Sequence, residues 1–359
     1  MFIYLFIFIL GIVSSIINPR HLTLFDKGVF LVFAVVSGFR LNVGTDFNEY
    51  VRYFKIVDAG HSSPGEIGFD LIAYIISILG LNSQGMFLVL SSLTLMFLYL
   101  GSKYYFTKLT IYKPIFYILF LIFVYFDSFN AVRQVLAAAI IFNGSKYIIE
   151  KSFIKYCSWV FIASLFHFTS IVLIPLYFIV NRNFKKVTLI FILIMTLFLS
   201  LGNIFTYLMN LAVNRYAFLD LGGYISNYLD SSYNNNEVDY GIVFFINLFI
   251  LLFIIINKNK FMKSNESIIV FNFYYLYILF FIIALDFFAF SRFQYFFSVY
   301  MVVGISSILV MFDQGSRKIL KVILLVLYIA LYLYVVISGY LDPVGNDNFP
   351  YQYNFNIFK

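Results

Sequence analysis

Charge is what this 359-residue chain has least of. Asp, Glu, Lys and Arg make up only 11% of it, less than half the roughly 25% of an ordinary soluble domain. With 62% hydrophobic residues and a mean hydropathy of +0.93, it has too little polar side chain to coat a water-soluble body. A single cysteine, Cys157, excludes an internal disulfide and any cysteine-based metal cluster. The three histidines, His21, His61 and His167, are too far apart for metal-ligand spacing, so neither a metal nor a cofactor is expected. Linkers, low-complexity stretches and internal repeats are also missing, which leaves one integral membrane domain over residues 1–359 as the expected organisation.

What the chain does have is long apolar sequence. The runs fall near 2–17, 28–39, 67–80, 85–101, 114–126, 132–149, 156–180, 187–213, 240–256, 268–290, 293–312 and 319–340. They are continuously apolar and do not alternate with the period of two that a lipid-facing barrel strand needs. The fold class is therefore an all-α polytopic membrane protein. About 10–12 transmembrane segments are expected, some short or broken because they fall below the ~20 residues of an upright span. The first residues, MFIYLFIFIL, lack a basic leader and a small-residue cleavage site and read as a retained span. The net charge of +7 belongs to loop Lys and Arg residues that set topology and grip lipid headgroups. Nucleic acid is not an expected partner.

Orientation follows from the basic residues. If every run crosses, Lys and Arg divide evenly between the two sides, a poor fit to the rule that they gather inside. If 67–101 crosses an odd number of times and 156–180 turns back without crossing, most of them gather inside. The external side then holds loops at 40–66 and 214–239, turns at 127–133 and 290–293, and the tail, and with them nearly every unusual polar residue. A break near His167 and Pro175 suits such a reversal, because irregular backbone at membrane depth survives only where it is buried or lines a wet cavity.

Four groups of residues stand out. In Arg40-Leu41-Asn42-Val43-Gly44-Thr45-Asp46-Phe47-Asn48-Glu49-Tyr50, a turn leads into a helix for which Thr45 or Asp46 could serve as N-cap. Asp46, Glu49, Arg52 and Tyr53 share one helix face, either as a salt-bridged surface or as a functional cluster. In Asp127-Ser128-Phe129-Asn130-Ala131-Val132-Arg133-Gln134, Asn130, Arg133 and Gln134 stack at the mouth of an apolar helix. Arg133 is there either a snorkelling anchor or a cation facing a cavity, and an amide on each side favours the second. His167 lies deep in an apolar run, as a neutral packed histidine or as an ionisable functional group. Asp286 and Arg292 flank a turn between two spans, as an ion pair or with Arg292 free to bind an anion.

These residues carry a resemblance. RLNVGTDFNEY, EIGF (Glu66–Phe69), NAVRQVLAAAI, ASLFHFTS, RFQYF (Arg292–Phe296) and Pro350-Tyr351 occur in the order and spacing of the EpsG family of Wzy-like polysaccharide polymerases, over nearly the whole chain. Phe47 stands where Tyr is common, and Ile67 replaces a frequent Pro. The resemblance implies a glycosyltransferase of the bacterial inner (cytoplasmic) membrane whose site faces the periplasm and which assembles O-antigen, capsule or exopolysaccharide. It would move a growing glycan from undecaprenyl diphosphate onto another lipid-linked repeat unit. Its partners would be those lipid-linked units, membrane lipid and a chain-length regulator. Diphosphate is an anion that guanidinium grips with two hydrogen bonds, which makes Arg40, Arg133 and Arg292 candidate ligands. Asp46, Glu49 and His167 are candidate catalytic bases, and Asn130, Gln134 and Tyr295 candidate substrate contacts. A membrane O-acyltransferase using His167, or a flippase for the lipid-linked unit, are the alternative classes.

Overall fold

A computed structural model describes residues 1–216, 241–341 and 351–359. Most of the expected outer loop at 214–239 lies outside the described residues. Those described are overwhelmingly helical, with two isolated bridges, Arg40 to Tyr353 and Leu81 to Phe358, as their extended pairings. Among the described residues, five helices are long and apolar enough to cross a membrane, six if a pair bent by 68° at 201–204 counts as one span. The other apolar runs form helices of 10–17 residues, among them Ile67–Ile78, Phe153–Ser164 and Ile242–Ile256. The chain is a multi-pass membrane protein in which many of the expected segments are short or broken.

Two compact units emerge, Met1–Asn181 with Val302–Lys359, and Arg182–Met301. In the first, the helices are α1 (Phe2–Ile17), α2 (Leu24–Gly38), α3 (Phe47–Asp58), α4 (Ile67–Ile78) and α5 (Ser83–Lys108). They are followed by α6 (Lys113–Asn130), α7 (Val132–Gly144) and α8 (Phe153–Ser164). The core forms where α2, α5 and α7 meet. Gly38 lets α5 approach so closely that a Cβ would lie 2.7 Å from the Leu88 Cα. The buried hydroxyls of Ser37 and Ser91 bond at 3.0 Å, as do those of Tyr105 and Ser145 at 2.8 Å. Small residues and buried hydroxyl pairs are how helices associate where lipid removes the hydrophobic drive.

One buried ion pair of this unit is answered in full. Asp26 and Lys113, both with fully buried side chains, pair at 2.7 Å. Asp26 also accepts from Ser14, Thr23 and Tyr117, while Lys113 donates to the carbonyls of Ser14, Asn18 and His21. A buried pair holds only with this degree of satisfaction, and it ties α1, α2 and α6 at one end. At another place the last residues act as a strap. Asn354 N–H donates to Phe39 O and Leu41 N–H to Gln352 O, both at 2.9 Å. Asn82 donates through its side chain to the carbonyls of Asn356 and Phe358.

α3 is too polar to span. Its buried side is Phe47, Tyr50, Tyr53, Phe54 and Val57, the 3–4 spacing of an amphipathic helix with one face packed. α6 contains a π-turn at Leu121–Tyr125, an irregularity common near functional sites, directly before Asp127–Arg133. The run around His167 does reverse. After α8 come a 3-10 turn, Phe168–Leu173, and a single helical turn, Leu176–Ile179. Tyr156 OH then bonds Leu173 O at 3.0 Å, and the Phe153 ring lies 5.1 Å from Tyr177. The two ends of the segment therefore lie side by side.

The second unit contains α9 (Lys186–Leu201), α10 (Ile204–Tyr216), α11 (Ile242–Ile256) and α12 (Asn265–Ala284). α12 is followed by a 3-10 turn, Phe288–Phe293, and α13 (Gln294–Ser307). α14 (Gln314–Leu341) follows after the chain has rejoined the first unit at Val302.

Candidate functional site

Arg133 occupies the first turn of α7, where the helix dipole disfavours a cation by about 0.3–1 kcal/mol. Something else must hold it there, and the structure supplies two things. Its guanidinium sits over three rings, Tyr50 at 5.5 Å, Tyr53 at 5.6 Å and Phe69 at 5.7 Å, each contact a favourable cation–π arrangement. Its Nη1 also donates to Glu66 Oε2. The other oxygen of Glu66, Oε1, stands 3.2 Å from His167 Nδ1. One carboxylate thus joins an arginine from α7 to a histidine from the reversal.

The three side chains are mostly buried but not sealed, with exposures of 19% for Arg133, 22% for Glu66 and 16% for His167. Burial alone would raise the Glu66 carboxyl. The hydrogen bond to His167 and the charge of Arg133 outweigh it and hold Glu66 below its ordinary value. Arg133 Nε is buried and has no hydrogen-bond partner among the described residues. A buried charged donor left unmatched is costly, so that edge of the guanidinium is suited to an anion from outside the chain.

Local backbone explains why the parts meet here. Gly68, in the first turn of α4, donates its N–H to Leu165 O at 2.7 Å, and a Cβ at Gly68 would stand 2.7 Å from the same oxygen. Only glycine lets α4 touch the reversal, and this sets Glu66 opposite His167. Asp70 steadies the approach by accepting from Ser63 N–H at 3.1 Å and from its hydroxyl. Beside this loop an open groove of ≈ 410 Å³ runs along α4, lined by Ile67, Asp70, Leu71, Tyr74 and His61.

The Arg40–Tyr50 and Asp127–Gln134 constellations also meet. Thr45 N–H donates to Asn130 Oδ1 at 2.8 Å. Gly44, at φ +103, would place a Cβ 2.4 Å from Phe129 O. Asn130 is therefore a pin between the loop and the end of α6. Arg40 is fully buried. It donates to the carbonyls of Ser37 at 2.5 Å, Val43 at 3.2 Å and Phe129 at 3.3 Å, and lies 4.7 Å over the Phe87 ring. Burial pushes it down to about 10, so it stays charged at neutral pH while it braces this loop.

The remaining candidates are dispersed. Asp46 stands at the N-cap position of α3 without a side-chain capping bond, and its Oδ1 accepts from Thr45 Oγ1 at 3.3 Å. Glu49 accepts from Tyr53 OH at 2.6 Å and Arg52 at 2.8 Å on the exposed side of α3. Tyr53 and Arg52 together hold its carboxyl below the ordinary range, against a smaller opposing effect of burial. Gln134 is buried in α7. Arg292 and Tyr295 belong to the second unit, where Arg292 is exposed. Asp286 is engaged with the N-terminus of α10, accepting from Phe205 N–H at 2.7 Å and Thr206 N–H at 3.3 Å. Glu66 is the member of the cluster that reading single helices does not nominate. The available signal was a carboxylate just ahead of an apolar run, in the loop expected to share a side with Arg133.

A family model described as the EpsG family matches residues 23–355. No curated protein and no solved structure matches the chain.

Proposed function

The chain belongs to the EpsG family, whose members are Wzy-like polymerases, and from that premise we propose that it joins undecaprenyl-diphosphate-linked repeat units at the outer face of the bacterial inner membrane. The observation that carries this reading is Arg133, caged by aromatic rings, tied through Glu66 to His167, and left with an unmatched Nε donor.

Glycan transfer asks three things of a site. The leaving diphosphate needs its developing charge stabilised, and Arg133 offers a guanidinium edge for that. The acceptor hydroxyl must lose a proton as its oxygen bonds the donor's anomeric carbon and the carbon–oxygen bond to diphosphate breaks. His167 takes that proton at Nε2, with Nδ1–H directed at Glu66 to fix the tautomer. The sugars must be held apart from lipid, and the groove along α4 places the exposed Tyr74 ring with His61 and Asp70 next to the loop that carries Glu66. Membrane lipid and a chain-length regulator are the further partners of such a polymerase.

Product class tests the proposal. The purified chain is given a defined lipid-linked repeat unit and the products are separated by size. A polymerase yields a ladder of chain lengths with release of undecaprenyl diphosphate. A single small mass increment would instead identify an acyltransferase, and relocation without any new bond a flippase.

A further inference from the structure

Two arginines among the described residues keep a buried Nε without a hydrogen-bond partner, and Arg133 is only one of them. The other is Arg317, at the start of α14. The sequence puts three cations there, Arg317, Lys318 and Lys321, where the helix dipole favours anions. Arg317 and Lys321 stand four residues apart and share a helix face, and like charges at that spacing repel. No carboxylate answers them. The acid next to them in sequence, Asp313, caps the helix instead, its Oδ2 accepting from Gly315 N–H at 3.0 Å and Ser316 N–H at 3.2 Å. None of the three cations forms an ion pair among the described residues.

These side chains are nevertheless held in place. Arg317 Nη2 donates to Phe312 O at 2.8 Å, across the turn that leads into α14. Lys321 Nζ stands 4.9 Å over the Tyr112 ring, a favourable cation–π arrangement. Tyr112 is itself fixed, its N–H donating to Ser306 O at 2.9 Å, so the start of α6 and the end of α13 meet beside the cations. A half-buried guanidinium and a half-buried ammonium therefore stand ready-placed on one face. One charged donor is left over, and leaving it unmatched is costly. What the arrangement lacks is an anion.

The surroundings say which kind. α14 is the longest of the membrane-length helices, and in the turns directly after the cations Ile319, Val322, Ile323 and Val326 are exposed. Cations at the end of such a helix, followed by an outward apolar side, match a phospholipid along its length, phosphate first and acyl chains after it. We propose that Arg317 and Lys321, with Lys318 at the rim, bind the phosphate of an anionic phospholipid headgroup beside the first turns of α14. The site shares no residue with the Arg133 cluster and does not depend on the polymerase reading.

Native mass spectrometry of the full-length chain in detergent, titrated with phosphatidylglycerol and separately with phosphatidylcholine, reads the retained lipid. The wild type should hold a phosphatidylglycerol that phosphatidylcholine does not replace. Arg317→Gln and Lys321→Gln should each weaken that binding by roughly five-fold or more. Lys321→Arg, which keeps the charge and the ring contact, should retain it. Lys108→Gln removes an exposed lysine elsewhere and should leave it unchanged. Melting temperatures are matched throughout, and Lys321→Gln carries the test if Arg317→Gln folds poorly. Equal retention of phosphatidylcholine, or unchanged phosphatidylglycerol binding in the Gln variants of Arg317 and Lys321, would overturn the site. So would an equal loss in Lys108→Gln, which would make the effect one of net charge. Displacement of the lipid by millimolar inorganic phosphate would also overturn it, because the cations would then serve a free anion.

Discussion

Glu66 serves two partners with one carboxylate, and its protonation is the most direct handle on the cluster. Its carboxyl is held below the ordinary value by His167 and Arg133 in spite of burial. The stabilisation it gives is therefore complete above the unfolded carboxylate range, near about 4.3, and is lost as pH falls through the lower folded value. Glu66→Gln removes the titrating group and leaves a partly buried arginine unpaired, at a cost of about 1–3 kcal/mol at neutral pH. Thermal midpoints measured from pH 7 down to 3 should fall in the wild type and converge on those of Glu66→Gln. Parallel acid limbs in the two proteins would show that the carboxylate does not hold the cluster. Arg133 and His167 stood out in the sequence because ionisable groups in apolar runs are rare. Glu66 did not, because a carboxylate before a helix is ordinary, and only the contact of Gly68 with Leu165 brings it opposite His167.

Among the elements, the loop from Arg40 to Asp46 depends on a backbone fit that one methyl group tests. Gly44 combines φ +103 with a Cβ position 2.4 Å from Phe129 O, whereas Gly60 has φ +84 and open space around it. Gly60→Ala should cost only the backbone strain, about 1 kcal/mol. Gly44→Ala adds a collision with a carbonyl that also accepts from Arg40, so it should cost more and reduce polymer formation. Equal melting temperatures for the two variants would mean that the loop is not docked on the end of α6. The turn itself was readable from Gly44-Thr45-Asp46, and so was the break at His167 and Pro175. The meeting of the loop with Asn130 was not, since no local pattern encodes a contact between residues 85 apart.

For the whole molecule, the apolar composition made the helical membrane class plain, and the structure divides the runs, among the described residues, into long helices and short broken ones. The folding back of 153–180, with the rings of Phe153 and Tyr177 in contact, leads us to place Lys151 and Asn181 on the same side of the membrane. Cysteine-accessibility mapping in a Cys157→Ser background checks this, with Asn48 expected outside and Lys108, Lys151 and Lys185 inside. Labelling of positions 151 and 181 from opposite sides would remove the reversal from the account, and a cytoplasmic Asn48 would separate the Asp46 loop from an outer-face reaction.

The central claim is that Arg133 grips the leaving diphosphate, and Arg133→Lys tests it most directly. Lysine keeps the charge, the pairing with Glu66 and the ability to snorkel, but it loses the planar fork and the Nε donor. A lost charge-assisted contact of about 1.5–3 kcal/mol corresponds to a roughly ten- to hundred-fold slower step if it acts in the transition state. With a defined lipid-linked repeat unit and matched melting temperatures, the wild type should build a ladder and release undecaprenyl diphosphate, and Arg133→Lys should do both ten- to hundred-fold more slowly. A ladder of wild-type length and rate from Arg133→Lys would contradict the account and make this arginine an anchor.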